Sequence, residues 1–119
     1  MILIIGGAYQ GKLDYARSLG VKEEDVFYCS KSDIDFSKPC IYRIEQFCIT
    51  CEDPLLYFKE NKSLWQSSIL ICEDIFCGVV PLDPELRLWR HKTAQLCKYL
   101  ADESDSAVRM FCGIAQKLK

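Results

Sequence analysis

The chain has 119 residues and a mass of 13.7 kDa, a length that fits one domain and leaves little room for a second. Half of the residues are hydrophobic and 27% are charged, enough apolar material for a core, which excludes a chain dominated by disorder. Lys and Arg number 15 against 17 Asp and Glu, a formal net charge of -2 that excludes a protein built to coat nucleic acid. Any anion must therefore be held by a local site.

Residues 2–5, Ile-Leu-Ile-Ile, form a short apolar run closed by Gly6-Gly7, the pattern of a strand buried on both faces of a parallel sheet. The run is too short for a signal-peptide core or a membrane span, and the expectation is a cytoplasmic protein with reduced thiols. Leu13, Ala16 and Leu19 then recur at helical spacing, and Gly20 is placed to end that helix. A second strand is expected around Val26 to Cys29. Cys40 to Ile44 holds either a third short strand or the start of a helix around Cys48.

Asp53-Pro54 supplies an N-cap followed by proline at the first helical position, and a helix with Leu55, Leu56 and Phe58 as its apolar contacts should end near Asn61. Ile69 to Cys72 reads as another buried strand. Asp83-Pro84-Glu85 repeats the capping pattern and opens the longest helix, running to about Asp102. Its apolar stripe is Leu86, Trp89, Thr93, Leu96, Cys97 and Leu100. Ala107 to Cys112 is the last clear strand, and Gly113 allows a tight turn so that residues 116–119 fold back beside it. The expected architecture is a single α/β domain over residues 1–119, with a mostly parallel sheet, helices on both faces and a C-terminal antiparallel hairpin.

The eight cysteines fall just below the density of disulfide scaffolds. Cys72 and Cys112 follow apolar runs, where a thiol behaves as a small core hydrophobe. Cys48-Ile49-Thr50-Cys51 has the Cys-x-x-Cys spacing of metal and redox sites, but no second pair accompanies it and the one histidine, His91, is distant in sequence. Ile44, Phe47, Cys48 and Cys51 also fit one helical face, so both thiols can simply point at the core.

Gly6-Gly7-Ala8-Tyr9-Gln10-Gly11-Lys12 matches the G-x-x-x-x-G-K phosphate loop, set between a strand and a helix. There the backbone N–H groups can turn toward phosphate oxygens, and Lys12 can reach the terminal phosphates. The plainer alternative is a glycine turn with a surface lysine. The position after the lysine, where a hydroxyl would hold magnesium, is Leu13, which cannot ligate a hard cation.

Glu73 and Asp74 close a strand where a phosphate-loop protein keeps its magnesium-holding carboxylate. The bland reading is a solvated strand end. Arg87, Arg90 and His91, at i, i+3 and i+4, share a helical face that can grip a phosphate or carboxylate, or can be an ordinary solvated face.

With these residues in place, the chain resembles the bifunctional adenosylcobinamide kinase and adenosylcobinamide-phosphate guanylyltransferase family of cobalamin biosynthesis. The resemblance rests on Ile4 to Lys12 with Tyr15-Ala16, on Asp74, Gly78-Val79-Val80-Pro81 and Arg87-Leu88-Trp89-Arg90-His91, and on Gly113 to Lys119. It covers roughly half of the chain. Tyr9 and Gln10 replace the family's Arg-Ser, Leu13 its Ser and His91 its Asp, and Ala94 and Cys97 stand for a Gly and an Asn. The family's guanylyl-accepting histidine has no counterpart after the second strand, and the middle of the chain is shorter.

The resemblance implies a P-loop fold that binds ATP or GTP with Mg2+ through Gly6, Gly7, Ala8, Tyr9, Gln10, Gly11, Lys12 and Leu13. Lys12 and Asp74 would be its catalytic residues, Glu73 or Asp74 would lie near the metal, and Arg87, Arg90 and His91 near substrate or phosphate. It further implies phosphorylation of adenosylcobinamide and assembly as a homotrimer, with neither nucleic acid nor a membrane span involved. The alternative is a nucleotide-binding or assembly protein that keeps the fold without the chemistry.

Overall fold

The computed structural model describes residues 1–119. The strands are β1 (Ile2–Gly6), β2 (Val26–Tyr28), β3 (Cys40–Tyr42), β4 (Ile69–Glu73), β5 (Ser106–Phe111) and β6 (Ile114–Lys117). They form one six-stranded sheet in the order β2-β3-β4-β1-β5-β6, all parallel except the β5–β6 hairpin. The helices are α1 (Lys12–Ser18), α2 (Ile44–Thr50), α3 (Pro54–Glu60), α4 (Lys62–Trp65) and α5 (Pro84–Glu103). Cys40 to Ile44 thus resolves into both alternatives, a strand that passes through Arg43 straight into a helix. No helix is long and apolar enough to cross a membrane.

The period-2 alternation of strand side chains divides the core in two. Leu3, Ile41, Leu70, Cys72 and Ala107 face one side, where α2, α3, α4 and α5 cover them with Phe47, Phe58, Trp65, Leu96 and Leu100. Ile4, Cys40, Ile71, Val108 and Met110 face the other side, covered by Ala16 of α1. The capping signals act where the sequence places them: Asp53 accepts a hydrogen bond from the Leu56 amide at 3.1 Å, and Asp83 from the Glu85 amide at 2.8 Å. Gly20 lies just past α1 at φ +101°, the left-handed conformation that ends a helix cheaply at glycine.

Three expectations are corrected. Leu56 and Leu86 are exposed rather than packed: Leu56 lies on the side of α3 opposite the buried Pro54 and Phe58, and Leu86 is in line with Thr93 and Leu100 but sits on the first turn of α5, ahead of its buried residues. Cys112 is exposed because the strand stops at Phe111, and Cys112-Gly113 form the two-residue hairpin turn with φ +51° and +75°. Cys51 is the extended C-cap of α2, which ends at Thr50, and it packs half-buried against the same core as Cys48, as expected. The short helix α4, whose Trp65 is buried and donates its indole N–H to the Phe58 carbonyl at 2.7 Å, was not foreseen.

Candidate functional site

The parallel strands β1, β3 and β4 end on one side of the sheet, where their C-terminal ends leave a crevice. Gly6 is the last residue of β1, between Glu73 of β4 and Met110 of β5. A Cβ there would come within 2.7 Å of the Met110 carbonyl oxygen, so only glycine fits between the flanking strands. The chain then turns through Gly7, Ala8, Tyr9 and Gln10 to Gly11, with Tyr9 at φ +60° and Gly11 at φ +92°.

Gln10 fastens this loop to the hairpin turn. Its side-chain oxygen accepts from the Cys112 amide at 2.5 Å, and its carbonyl from the Gly113 amide at 3.1 Å.

Above the loop lies a cavity of about 420 Å³ lined by Ala8 to Asp14, Tyr42, Arg43 and Glu73. Lys12, the first residue of α1, is only 6% exposed, which removes the surface-lysine alternative. Its ammonium donates to the Gly7 carbonyl at 2.6 Å and lies 4.0 Å from Glu73 Oε1. The lysine is thus folded across its own loop with one protein hydrogen bond. An ammonium has three donors, so this geometry leaves capacity for an anion in the cavity.

The two neighbouring acids part company. Glu73 lines the cavity, one third exposed, whereas Asp74 turns back into its own loop. Asp74 Oδ1 accepts from the Phe76 amide at 3.0 Å, Oδ2 faces the Cys77 thiol at 3.5 Å, and its amide donates to the Gly6 carbonyl at 2.8 Å. No trio of His, Cys, Asp or Glu side chains is placed to hold a metal ion by itself. One carboxylate beside a phosphate-sized space still suits Mg2+, which commonly takes one or two protein carboxylates and completes its shell with phosphate oxygens and water.

The arginine–histidine face is divided as well. Arg87 donates to the Pro81 and Leu82 carbonyls at 3.1 and 2.9 Å. Arg90 donates to the Val79 carbonyl at 3.0 Å and also to that of Phe76. Both therefore bind the irregular 76–82 segment and neither lines the cavity above the glycine loop. His91 points elsewhere, to a separate cleft with Glu52, Asp53 and Lys92.

Two residues of the site escaped sequence reasoning. Arg43 lines the cavity from the β3–α2 junction, with its backbone left-handed at φ +65° and its side chain half exposed. Glu45, the second residue of α2, is fully buried: its Oε2 accepts from the Glu73 amide at 3.0 Å, while Oε1 has no hydrogen-bond partner and lies 3.9 Å from Arg43 Nε. Burial pushes the Glu45 carboxyl above its usual range, partly offset by the Glu73 amide. A buried acceptor without a partner costs about 1–3 kcal/mol. The available signal was an arginine placed directly after an apolar β-run, where parallel strands present their ligand-facing ends.

These features define an α/β protein with a mostly parallel six-stranded sheet and a lysine-bearing glycine loop beside a cavity at the C-terminal end of its interior strand β1. Compared with known proteins, the chain matches no family model and no curated protein sequence.

Proposed function

We propose that the chain is a P-loop nucleotide-binding protein that takes the phosphates of ATP or GTP in the cavity above Gly6 to Leu13. The observation that carries this reading is the buried Lys12, held across its own glycine loop at the end of the central strand β1, with Glu73 opposite. Lys12 and Arg43 supply two cations for phosphate oxygens, and the loop amides supply neutral donors. Glu73 is the residue that would hold Mg2+, which when bound neutralises charge on the phosphates.

Following the resemblance, the acceptor is the aminopropanol hydroxyl of adenosylcobinamide. Its oxygen attacks the terminal phosphorus in line as the bond to the leaving diphosphate breaks, and the hydroxyl proton passes to solvent or to the transferred phosphoryl group. The chain's part in such a step is positioning and charge stabilisation, which needs no covalent histidine. A cytoplasmic homotrimer belongs to the same reading.

A second reading, a nucleotide-binding or assembly protein without transfer, is favoured by Leu13 at the metal-hydroxyl position and by the engagement of Asp74 in its own loop.

Calorimetric titration with ATP and GTP, with and without Mg2+, tests the shared premise against Lys12→Ala. Loss of at least about tenfold in affinity is expected, because a charge-assisted phosphate contact disappears. Equal binding by the two proteins would sink the phosphate-site assignment. Incubation with γ-labelled nucleotide and cobinamide then separates the readings: labelled cobinamide phosphate supports the kinase, and clear nucleotide binding without it supports the second reading.

A further inference from the structure

We infer that Glu45 is a positioning residue that aims the Arg43 guanidinium into the phosphate cavity and fixes the backbone of Glu73 beneath it; this rests on the nucleotide reading above. The carboxylate is enclosed on every side, and its two oxygens address the two residues that complete the cavity opposite Lys12. Oε2 takes the Glu73 amide at 3.0 Å, and Oε1, otherwise without a partner, faces Arg43 Nε at 3.9 Å. Glu45 also ties the arrangement to the long helix, because its carbonyl accepts the Trp89 indole N–H at 2.7 Å.

A purely structural origin fits poorly. α2 already buries Ile44, Phe47 and Cys48 for packing, and a neutral amide at position 45 would accept the Glu73 N–H equally well, so neither packing nor that hydrogen bond calls for a charge. What a carboxylate adds is direction. From 3.9 Å, beyond hydrogen-bond reach, its charge draws the Nε end of a guanidinium whose terminal nitrogens then remain free for phosphate.

Arg43 needs such a guide, because its left-handed backbone gives it no regular element to set its course and its side chain is half exposed. No other carboxylate forms an ion pair with it.

The test uses the full chain, with MgATP as the probe and three changes, E45Q, R43A and R43K. E45Q keeps the volume and an acceptor for the Glu73 amide. The Arg43 Nε–H resonance in a 15N-correlated spectrum of the free wild-type protein should move in E45Q, because the charge that faces it is removed. MgATP affinity should fall about tenfold in E45Q, and E45Q should add less than about twofold in the R43A background. R43K, which keeps the charge but loses the Nε that faces Glu45, should bind nearly as weakly as R43A; this arm stands even if E45Q fails to fold.

An unchanged Nε–H signal in E45Q would overturn the proposal. So would equal losses from E45Q with and without Arg43, or wild-type affinity in R43K. If the wild-type chain binds no nucleotide, the phosphate-site reading fails, and the Nε–H signal alone decides whether Glu45 orients Arg43.

Discussion

Lys12 and Arg43 stand at the open ends of β1 and β3, while Arg87 and Arg90 stand on the first turns of α5, and the two pairs are used in opposite ways. The first pair lines a cavity, with one backbone hydrogen bond on Lys12 and a single distant carboxylate beside Arg43. The second pair gives its donors to four carbonyls of the 76–82 segment, which has no ladder or helix to satisfy them. A cation becomes available to a ligand only where the backbone around it has already been satisfied. At the glycine loop, Asp74 and the β5–β6 turn do that work; beside α5, the arginines do it themselves.

The largest effect that would break this comparison is expected at Gly6. In Gly6→Ala the new Cβ meets the Met110 carbonyl, backbone that cannot swing aside, so β1 and β5 must separate at the point where the loop begins. A loss of about 1–3 kcal/mol in stability is expected, together with a fall in the nucleotide affinity proposed for this loop. Urea denaturation and calorimetric titration measure the two; a fully stable, fully binding variant would mean that the loop does not depend on the close approach of these strands.

Arg90→Ala should divide the two regions more cleanly. It removes donors from the Phe76 and Val79 carbonyls at a partly exposed site, so about 1 kcal/mol of stability and faster amide exchange across residues 76–82 are expected. Nucleotide affinity should stay within about twofold of the wild type, because no atom of Arg90 lines the cavity. A tenfold loss would instead place Arg90 among the phosphate contacts.

The sequence exposes the glycine region far better than the arginine region, and the reason is physical. A phosphate-loop pattern, a buried strand and a capped helix are local signals: Gly6, Gly11 and Lys12 are constrained by their immediate neighbours. What Arg87 and Arg90 bind depends on where an irregular segment five to fourteen residues away comes to rest, which no periodicity encodes. The same holds for Glu45. In α2 it looks like an ordinary polar helix position, and only the crossing of β4 and α5 above it makes it the fully buried centre of the site. Leu86 failed in the other direction, since helical spacing identifies a face but not how far along the helix that face is covered.

The smallest effect sharpens the contrast through thiols. Cys29 lies near Glu45, and burial pushes its thiol up to about 12, as it does that of Cys48, while Cys40 is raised to about 11. Cys77 in the arginine-held segment and Cys112 in the hairpin turn are exposed. At pH 8 a thiol raised to about 12 has only about one ten-thousandth of its population as thiolate, the reactive form. A charged thiol reagent should therefore modify Cys77 and Cys112 in the native protein and leave Cys29, Cys40 and Cys48 untouched until denaturant is added, as peptide mass spectrometry can establish.

The same shifts set an alkaline limit. Between the ordinary thiol value of 9.0 and the raised values, the unfolded chain releases protons that the folded chain keeps, so stability falls as pH climbs above about 9. Stability that stays level from pH 8 to 10.5 in urea titrations, or rapid native modification of Cys29, would show that the sheet edge beneath Arg43 opens as readily as the segment held by Arg90.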